Sequence, residues 1–326
     1  VGAGDPFPID VARGVMLLRI NNLVKGFSVI RLETVETMVN MLNKGVTAFI
    51  PQKGSLGASG DLAPLSHMVL PMIGLGTFPF QGRVMADMVL NASKIGYRLF
   101  DTADDYRGES GIGLAVSELD SIGLTREDLF LQTKISDNNA HTDEPLKGIF
   151  FNPNSKFMKR HTVDEIVREK IATSLREMKT NYLDSLLIHY PFPGYIVDIW
   201  KVMIELKKEG LVRYIGVSNF HERHIQKLID ATNVVPDINE CYISPIGTKQ
   251  TLVDYCNSIQ CLFMTYSPLM DMAAGRVQSE PINNLTEKYR KSVAQIILRW
   301  NIDRGCLPLP KTKNVQRLQE IGRAHV

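Results

Sequence analysis

Short apolar runs alternate with amphipathic helical patterns from Pro71 onward, and this alternation constrains the fold more than any other feature of the chain. Eight runs have β-strand character, at residues 72–77, 97–103, 129–135, 185–190, 212–219, 238–244, 261–268 and 306–312. Helical patterns lie between them, such as Val163–Lys179 with Thr162 as N-cap, and Ile196–Glu209, which ends before Gly210. Strict alternation predicts parallel strands joined by right-handed crossovers. Eight such units in about 250 residues predict an α/β fold, the (β/α)8 or TIM barrel.

The first 70 residues have a different pattern, which predicts an all-helical segment without β-strands. Helical patterns cover Ile9–Lys25 and Leu32–Lys44. In the second helix, residues at i, i+3, i+4 and i+7 form one apolar stripe, namely Val35, Met38, Val39 and Leu42. A glycine-dense stretch, Gly54–Pro64, is too polar and flexible for a regular element. The chain is therefore predicted to contain a helical fragment at 1–70 and a barrel at 71–326.

The composition indicates a globular protein and argues against several classes of function. Lys and Arg number 37 against 35 Asp and Glu, so the net charge of +2 provides no strong attraction to nucleic acid or anionic membranes. No uncharged apolar stretch reaches the ~18 residues of a transmembrane helix, and the first ten residues lack signal-peptide character. The four cysteines show no C-x-x-C spacing, which argues against disulfides or a zinc site. We therefore expect a cytoplasmic monomer with no metal, nucleic-acid or membrane partner.

Polar residues stand at or just after the predicted strand ends, where a barrel carries its catalytic groups. Asp101 ends the second strand and Tyr106 follows it; Lys134, His189 and Ser218–Asn219 end the next three. Each alone has an ordinary structural explanation, such as a helix cap or a satisfied core histidine. Together they suit proton donation to a carbonyl group that accepts hydride, because a lysine ammonium makes a tyrosine more acidic, an aspartate positions the lysine, and a histidine can hold the carbonyl oxygen.

Several sequence blocks resemble the aldo-keto reductase family from Pro71 to about Glu320. They include PMIGLGTF, GYRLFDTADDY, LFLQTKIS, YLDSLLIHYP, EGLVRYIGVSNF and LPLPKTKNVQRLQE. The resemblance implies that Asp101, Tyr106, Lys134 and His189 form a catalytic tetrad with Tyr106 as general acid. It also implies an NADPH cofactor across the barrel mouth. Residues expected to bind NADPH are Gly76, Thr77, Ser218, Asn219, Glu240, Tyr266, Ser267, Leu269, Lys311, Thr312 and Arg317.

Three features of the sequence bear on the cofactor directly. Lys311, Thr312 and Arg317 form a basic cluster at a predicted helix start, which suits the 2′-phosphate of NADP; a solvated basic helix start is the alternative. The segment at 74–77, GLGT, lacks the third glycine of a Rossmann fingerprint. The family usually has glutamine where this chain has Glu240. Because a carboxylate cannot donate to the carboxamide oxygen of the nicotinamide, the substitution predicts weaker orientation or a preference for the oxidised cofactor.

The stretch GSLGASGDLAPLSHM, at 54–68, resembles the histidine and phenylalanine ammonia-lyase family. The resemblance implies that Ala58, Ser59 and Gly60 correspond to the residues that cyclise into that family's electrophile. It covers only about 70 residues and lacks the remaining catalytic and substrate-binding residues, so we expect a vestigial, inactive fragment. Two observations favour a chimeric reading frame with a truncated barrel end. The two families have similar sequences near Met68–Gly76. The last helix departs from the reductase pattern and is reduced to about two turns.

The expected function is NADPH-dependent reduction of an aldehyde or ketone to an alcohol. A non-catalytic NADPH-binding barrel and an ammonia-lyase are the alternatives. The long connection at 138–160 is predicted to line the substrate pocket, and the sequence does not select one carbonyl substrate.

Overall fold

Eight parallel strands form the barrel in a computed structural model, which describes residues 3–6, 8–24, 32–43, 51–53, 73–137, 160–277 and 279–322. The strands are β3 (Leu75–Gly76), β4 (Leu99–Asp101), β5 (Phe130–Ile135), β6 (Leu183–Ile188), β7 (Val212–Ser218), β8 (Ile238–Tyr242), β9 (Leu262–Tyr266) and β10 (Cys306–Leu309). They pair in sequence order. Backbone hydrogen bonds from Gly74 N to Pro308 O, 3.1 Å, and from Gly76 N to Pro310 O, 3.0 Å, connect the first strand to the last. The predicted (β/α)8 barrel is confirmed.

Helices lie between the strands and pack on the outside of the sheet. They are α3 (Gly82–Ile95), α4 (Glu109–Val116), α5 (Val163–Glu177), α6 (Ile196–Lys208), α7 (Glu222–Thr232), α8 (Gln250–Ser258), α9 (Met270–Ala273), α10 (Glu280–Tyr289), α11 (Val293–Asp303) and α12 (Val315–Ile321). Thr162 caps α5 as expected, because its hydroxyl accepts a hydrogen bond from Glu165 N and Glu165 in turn binds Thr162 N. Gly210 follows α6 with a φ of +78°, a conformation that glycine adopts readily.

Alternation along each strand divides the apolar core into two parts and positions the polar residues. Large side chains such as Trp200, Phe100 and Phe263 belong to the core between strands and helices. A smaller cluster fills the inside of the barrel and contains Leu99, Leu187, Ile238, Met264 and Leu309. Since every second residue of a strand faces the same side, the residues two positions further along also face inward. These are Asp101, His189, Glu240, Tyr266 and Lys311, so the apolar barrel interior continues directly into a polar mouth.

The described parts of the first 53 residues contain two helices and one β-ladder. The helices are α1 (Ile9–Leu23) and α2 (Leu32–Asn43). The prediction that this region has no strands is wrong, because β1 (Ala3–Pro6) pairs antiparallel with β2 (Pro51–Lys53). Such short strands, AGDP and PQK, contain no alternating apolar pattern, and each depends on a partner distant in sequence.

The apolar stripe of α2 differs from its prediction. Val35, Met38 and Met41 are buried, whereas Val39 is 37% exposed and Leu42 is half-buried. The buried row follows the i, i+3, i+6 positions because α2 packs against α1, where Met16 is fully buried. Ala58, Ser59 and Gly60, and nearly all of the connection at 138–160, lie outside the described residues.

Helix α12 has seven residues, close to the two turns expected from the sequence. Leu318 and Ile321 on this helix are buried. Its backbone accepts two hydrogen bonds from the barrel, from Tyr97 Oη to Leu318 O at 3.0 Å and from Gln295 Nε2 to Glu320 O at 2.9 Å. These contacts fix the segment that carries the basic cluster beside the mouth.

Replacing Gly113 with alanine is expected to destabilise the barrel. Helix α4 approaches the end of α5 so closely that a Cβ on Gly113 would lie 2.0 Å from Glu177 O, a backbone atom. Relieving such overpacking costs about 1–3 kcal/mol. Urea unfolding should show this loss in G113A. The control L114A changes a residue on the exposed side of the same helix; equal stability of both variants would contradict the close approach.

Candidate active site

A buried ion pair lies at the bottom of the mouth, between the ends of β4 and β5. Lys134 Nζ donates to both carboxylate oxygens of Asp101, at 2.5 and 2.6 Å, and to Thr102 O at 3.0 Å. Both side chains are at most 5% exposed. Burial alone would lower the pKa of Lys134, but the Asp101 and Glu240 carboxylates outweigh it and raise that pKa above its ordinary value. The contacts with Asp101 and Thr102 hold the Lys134 ammonium in one place, and the raised pKa favours its charged form.

Tyr106 lies directly above this pair. A short 3-10 turn, Asp104–Tyr106, follows β4 and turns the phenol over the mouth, with Lys134 Nζ 5.4 Å from the ring centroid. Burial raises the pKa of Tyr106 well above its ordinary value; Lys134 opposes this, whereas the nearby carboxylates add to it. The charge of Lys134 thus lowers the pKa of Tyr106, the direction expected from the sequence. Because two carboxylates share that charge, its effect on the pKa does not outweigh burial. Tyr106 stays protonated at neutral pH, the state that a proton donor needs.

His189, directly after β6, joins Tyr106 to a second set of polar groups. Its Nε2 is 3.4 Å from Tyr106 Oη, and its Nδ1 is 2.7 Å from Ser136 Oγ. Asp105 Oδ1 lies 3.5 Å from the same Nδ1. Burial tends to raise the pKa of Asp105, but hydrogen bonds with His189 and Ser136 and the charge interaction with His189 lower that pKa overall. Sequence reasoning missed Ser136 and Asp105, although both are immediate neighbours of a strand end or of Tyr106.

Glu240 lies deeper in the barrel mouth than a residue at the rim that contacts the cofactor would. One of its oxygens is 3.2 Å from Lys134 Nζ, and the other accepts from Gln132 Nε2 at 2.8 Å. Gln132 Nε2 also donates to Asp101 Oδ1 at 2.8 Å, while Ser185 Oγ donates to Gln132 Oε1 at 2.7 Å. Gln132 is a further residue that the sequence analysis missed; its position two residues before Lys134 on the same strand is the signal that could have revealed it.

The other residues expected to bind the cofactor surround the mouth and are already connected to one another. Asn219 Nδ2 lies 3.1 Å from Ser218 Oγ and 3.2 Å from His189 O, and its Oδ1 accepts from Tyr266 Oη at 3.0 Å. Thr77 Oγ1 donates to Asp101 O at 2.8 Å. Gly76 lies where a Cβ would be 3.3 Å from Leu309 O. Ser267 is exposed, with a φ of +49°, and Leu269 is half-buried. The structure therefore brings these residues to one rim.

The basic cluster has the donors that a phosphate requires. Lys311 and Arg317 are exposed, Thr312 is half-buried, and within the described part of the chain neither cation forms an ion pair with a carboxylate. Asn314 caps α12 by accepting from Arg317 N at 3.0 Å. Two unpaired cations and a hydroxyl at one rim fit a doubly charged phosphate better than an uncharged ribose hydroxyl.

The described residues provide neither a metal-binding cluster nor a membrane-spanning helix. No group of three or more His, Cys, Asp or Glu side chains in these residues is arranged to hold a metal ion. No helix there has the length and apolar character needed to cross a membrane.

The fold is a (β/α)8 barrel with a buried cluster of titratable side chains at its mouth. Residues 72–325 match the family model described as Aldo/keto reductase family. The chain belongs to the aldo/keto reductase family and is therefore an oxidoreductase that interconverts carbonyl compounds and alcohols.

Named relatives agree with this assignment. The chain is 34% identical over 254 residues to Methylglyoxal reductase DkgA of Escherichia coli O157:H7, covering 77% of this chain and 82% of the relative. It is 32% identical over 252 residues to Glyoxal reductase of Bacillus subtilis, with the same coverages. Among solved structures, Bombyx mori aldo-keto reductase AKR2E4 in complex with NADP is similar with a TM-score of 0.63 and 31% identity, over 77% of this chain and 83% of that one.

A second family model, Aromatic amino acid lyase, matches residues 1–98. The two matches overlap at 72–98, which extends the lyase similarity beyond the boundary near residue 70 expected from the sequence. In the structure, residues 73–98 include β3 and α3, which form the first unit of the barrel.

Proposed function

We propose that this barrel uses NADPH to reduce small aldehydes and ketones, with 2-oxoaldehydes such as methylglyoxal as the leading substrate class, and that Tyr106 is the general acid. The observation that carries the proposal is the buried Lys134–Asp101 pair beneath a protonated tyrosine whose hydroxyl lies 3.4 Å from His189 Nε2. The names of the methylglyoxal and glyoxal reductases support the substrate class.

The cofactor site uses the rim residues. When bound, NADPH supplies hydride to the carbonyl carbon. Lys311, Thr312 and Arg317 would hold the 2′-phosphate. The nicotinamide and pyrophosphate would lie along Gly76, Thr77, Ser218, Asn219, Tyr266, Ser267 and Leu269, and the NADP and NADPH named in complexes of similar proteins support this choice.

Each member of the tetrad has a separate task in the proposed mechanism. Tyr106 Oη gives its proton to the carbonyl oxygen as negative charge develops there. Lys134 stabilises the phenolate that remains, and Asp101 holds the ammonium in place. His189 contacts the same oxygen through Nε2, while Ser136 and Asp105 fix the orientation of its ring from the Nδ1 side.

The aromatic walls in the described part of the mouth favour small carbonyl compounds. The Phe78 ring lies 5.0 Å from the Tyr106 ring and is 52% exposed. Tyr190 stacks on His189 at 4.6 Å and is 50% exposed. These rings flank the proton donor with apolar surface, and Lys311 Nζ lies 5.5 Å from the centroid of the Phe78 ring.

A substrate survey tests the proposal. NADPH consumption should be fast with methylglyoxal, glyoxal and small aromatic aldehydes, and slow with sugars whose hydroxyl groups would lie against Phe78 and Tyr190. The same survey with NADH should give much lower rates. Absence of NADPH consumption with every carbonyl would refute the proposal.

Removal of the positive charges of the basic cluster is expected to weaken the binding of NADPH but not of NADH. K311A/R317A should raise the KM for NADPH by about tenfold, because two charge-assisted contacts to the phosphate are lost, and should leave the KM for NADH nearly unchanged. K288A is the matched control, because Lys288 is an exposed lysine on α10. Equal losses with both cofactors would contradict a phosphate-binding role.

We further propose that residues 1–70 contribute no lyase activity and that the barrel at 71–326 carries the reaction as a cytoplasmic monomer. The four cysteines are buried and unpaired, which supports a reducing compartment. A chain beginning at Met68 should retain carbonyl reduction, and the full chain should release no ammonia from histidine or phenylalanine. Loss of reductase activity in the shortened, folded chain would contradict this division.

A further inference from the structure

The polar floor of the mouth has an unbalanced charge. Asp101 and Glu240 both bind Lys134, and all three side chains are at most 5% exposed. In the described part of the chain, no second ammonium or guanidinium group forms an ion pair with either carboxylate. Two carboxylates beside one cation leave a surplus negative charge in a buried site, an arrangement that proteins relieve by binding a proton.

The geometry indicates which carboxylate takes the proton. Asp101 receives two contacts from Lys134, at 2.5 and 2.6 Å, and one from Gln132. Glu240 receives the longer Lys134 contact, 3.2 Å, and one from Gln132. Fewer and longer contacts stabilise its ionised form less, so Glu240 is the group that accepts a proton.

We propose that Glu240 is a positioning residue that holds an exchangeable proton beneath Tyr106, and that its ionisation favours binding of the oxidised over the reduced cofactor. The inference rests on the proposed function. The proton comes from solvent and returns to it, so the step is an acid–base equilibrium of one carboxyl group. With the proton bound, the Asp101–Lys134 pair is neutral; without it, the floor carries one negative charge.

The groups around Glu240 come from each neighbouring element. They are Asp101 from β4, Lys134 from β5, Tyr106 above, Cys241 beside it and Tyr266 from β9. Burial, followed by the Asp101 charge, raises the pKa of Glu240 to about 8, and Lys134 only partly opposes this. The ionised group also raises the pKa of Tyr106, so proton donation weakens as Glu240 loses its proton.

The two cofactor forms distinguish these states. Oxidised nicotinamide carries a positive charge and reduced nicotinamide does not, so a buried negative charge under the mouth stabilises only the oxidised form. The expected gain is about tenfold in relative affinity. The 2′-phosphate is the same in both forms, and its own titration therefore cancels in the ratio of the two dissociation constants.

Binding titrations over pH test the proposal without turnover. In the wild type, the Kd ratio of NADP⁺ to NADPH should fall about tenfold as the pH rises through about 8. In E240Q, which has the shape of the protonated carboxyl group, the ratio should stay flat at the low-pH value of the wild type. E287Q, an exposed glutamate on α10, should behave as wild type.

Four results would overturn the inference or its basis. A flat ratio in the wild type, or a step that persists in folded E240Q, overturns the role of Glu240 alone. Failure to bind either cofactor overturns the proposed function as well. If E240Q does not fold, infrared difference spectra of the wild type decide: a protonated carboxyl band should disappear near pH 8, above the titration of Asp104, whose burial raises its pKa to about 6. Absence of that band overturns the proposal.

Discussion

Replacing Tyr106 with phenylalanine is expected to lower kcat for carbonyl reduction by about a thousandfold, because the site then lacks its proton donor. The ring stays in place between Phe78, 5.0 Å away, and His189, 5.6 Å away. NADPH binding, measured by quenching of protein fluorescence, should therefore change little. No other hydroxyl group in the described mouth lies at the same position above Lys134 to replace the lost one.

The control for Y106F is Y289F, which removes the hydroxyl group of an exposed tyrosine on α10. Its kcat should match the wild type. A Y106F enzyme that turns over at more than a small fraction of the wild-type rate would contradict the role of Tyr106 as general acid. A Y106F enzyme that no longer binds NADPH would instead point to a structural role for the phenol.

Replacing Lys134 with methionine is expected to reduce both activity and stability. Without the ammonium, the Tyr106 phenolate has no stabilising charge, and Asp101 and Glu240 remain together in a buried site. Breaking a buried pair by removing one partner costs about 3–5 kcal/mol. We expect kcat/KM to fall by at least about a hundredfold, and urea unfolding to show the loss of stability.

A double variant separates the two effects of the Lys134 change. K134M/D101N removes both charges of the pair, so it should recover part of the stability lost in K134M while remaining as inactive. The pH profile gives a second readout, because any residual activity should no longer depend on an ammonium at this position. Recovery of activity along with stability would show that Lys134 only supports the fold.

The barrel and the inward direction of the polar residues at its strand ends could be predicted because both follow from short-range patterns. The alternation of β-like runs and helices defines the fold, and an inward apolar residue such as Leu187 sets the direction of His189 two positions later. The connections among polar residues could not be predicted in this way. Gln132 and Glu240 come from strands that meet only when the barrel closes, and their 2.8 Å contact depends on that closure.

The role of Glu240 likewise depends on contacts that the sequence does not predict. From the sequence it is a substitution at a position expected to face the cofactor, and its effect follows from the carboxylate's inability to donate a hydrogen bond. In the structure its oxygens face Lys134 and Gln132. Its charge, rather than its hydrogen-bonding pattern, is then the property that affects the reaction.

The sequence also predicted the similarities to two families better than the boundary between them. The motif at 54–68 indicated the lyase similarity, and a family model matches there. The match continues to residue 98, through β3 and α3. Residues 73–98 nevertheless pack as part of the barrel, since Tyr97 is buried and donates to the backbone of α12.

The most direct test of the central claim is isotope transfer in a single turnover. NADPH with deuterium at both hydrogen positions of nicotinamide C4 is mixed with excess enzyme and methylglyoxal, and the product is examined by mass spectrometry and NMR. We expect deuterium on the carbinol carbon of the product with the wild type, and transfer about a thousandfold slower with Y106F despite bound NADPH. An alcohol product without deuterium, or equal transfer by Y106F, would contradict this expectation.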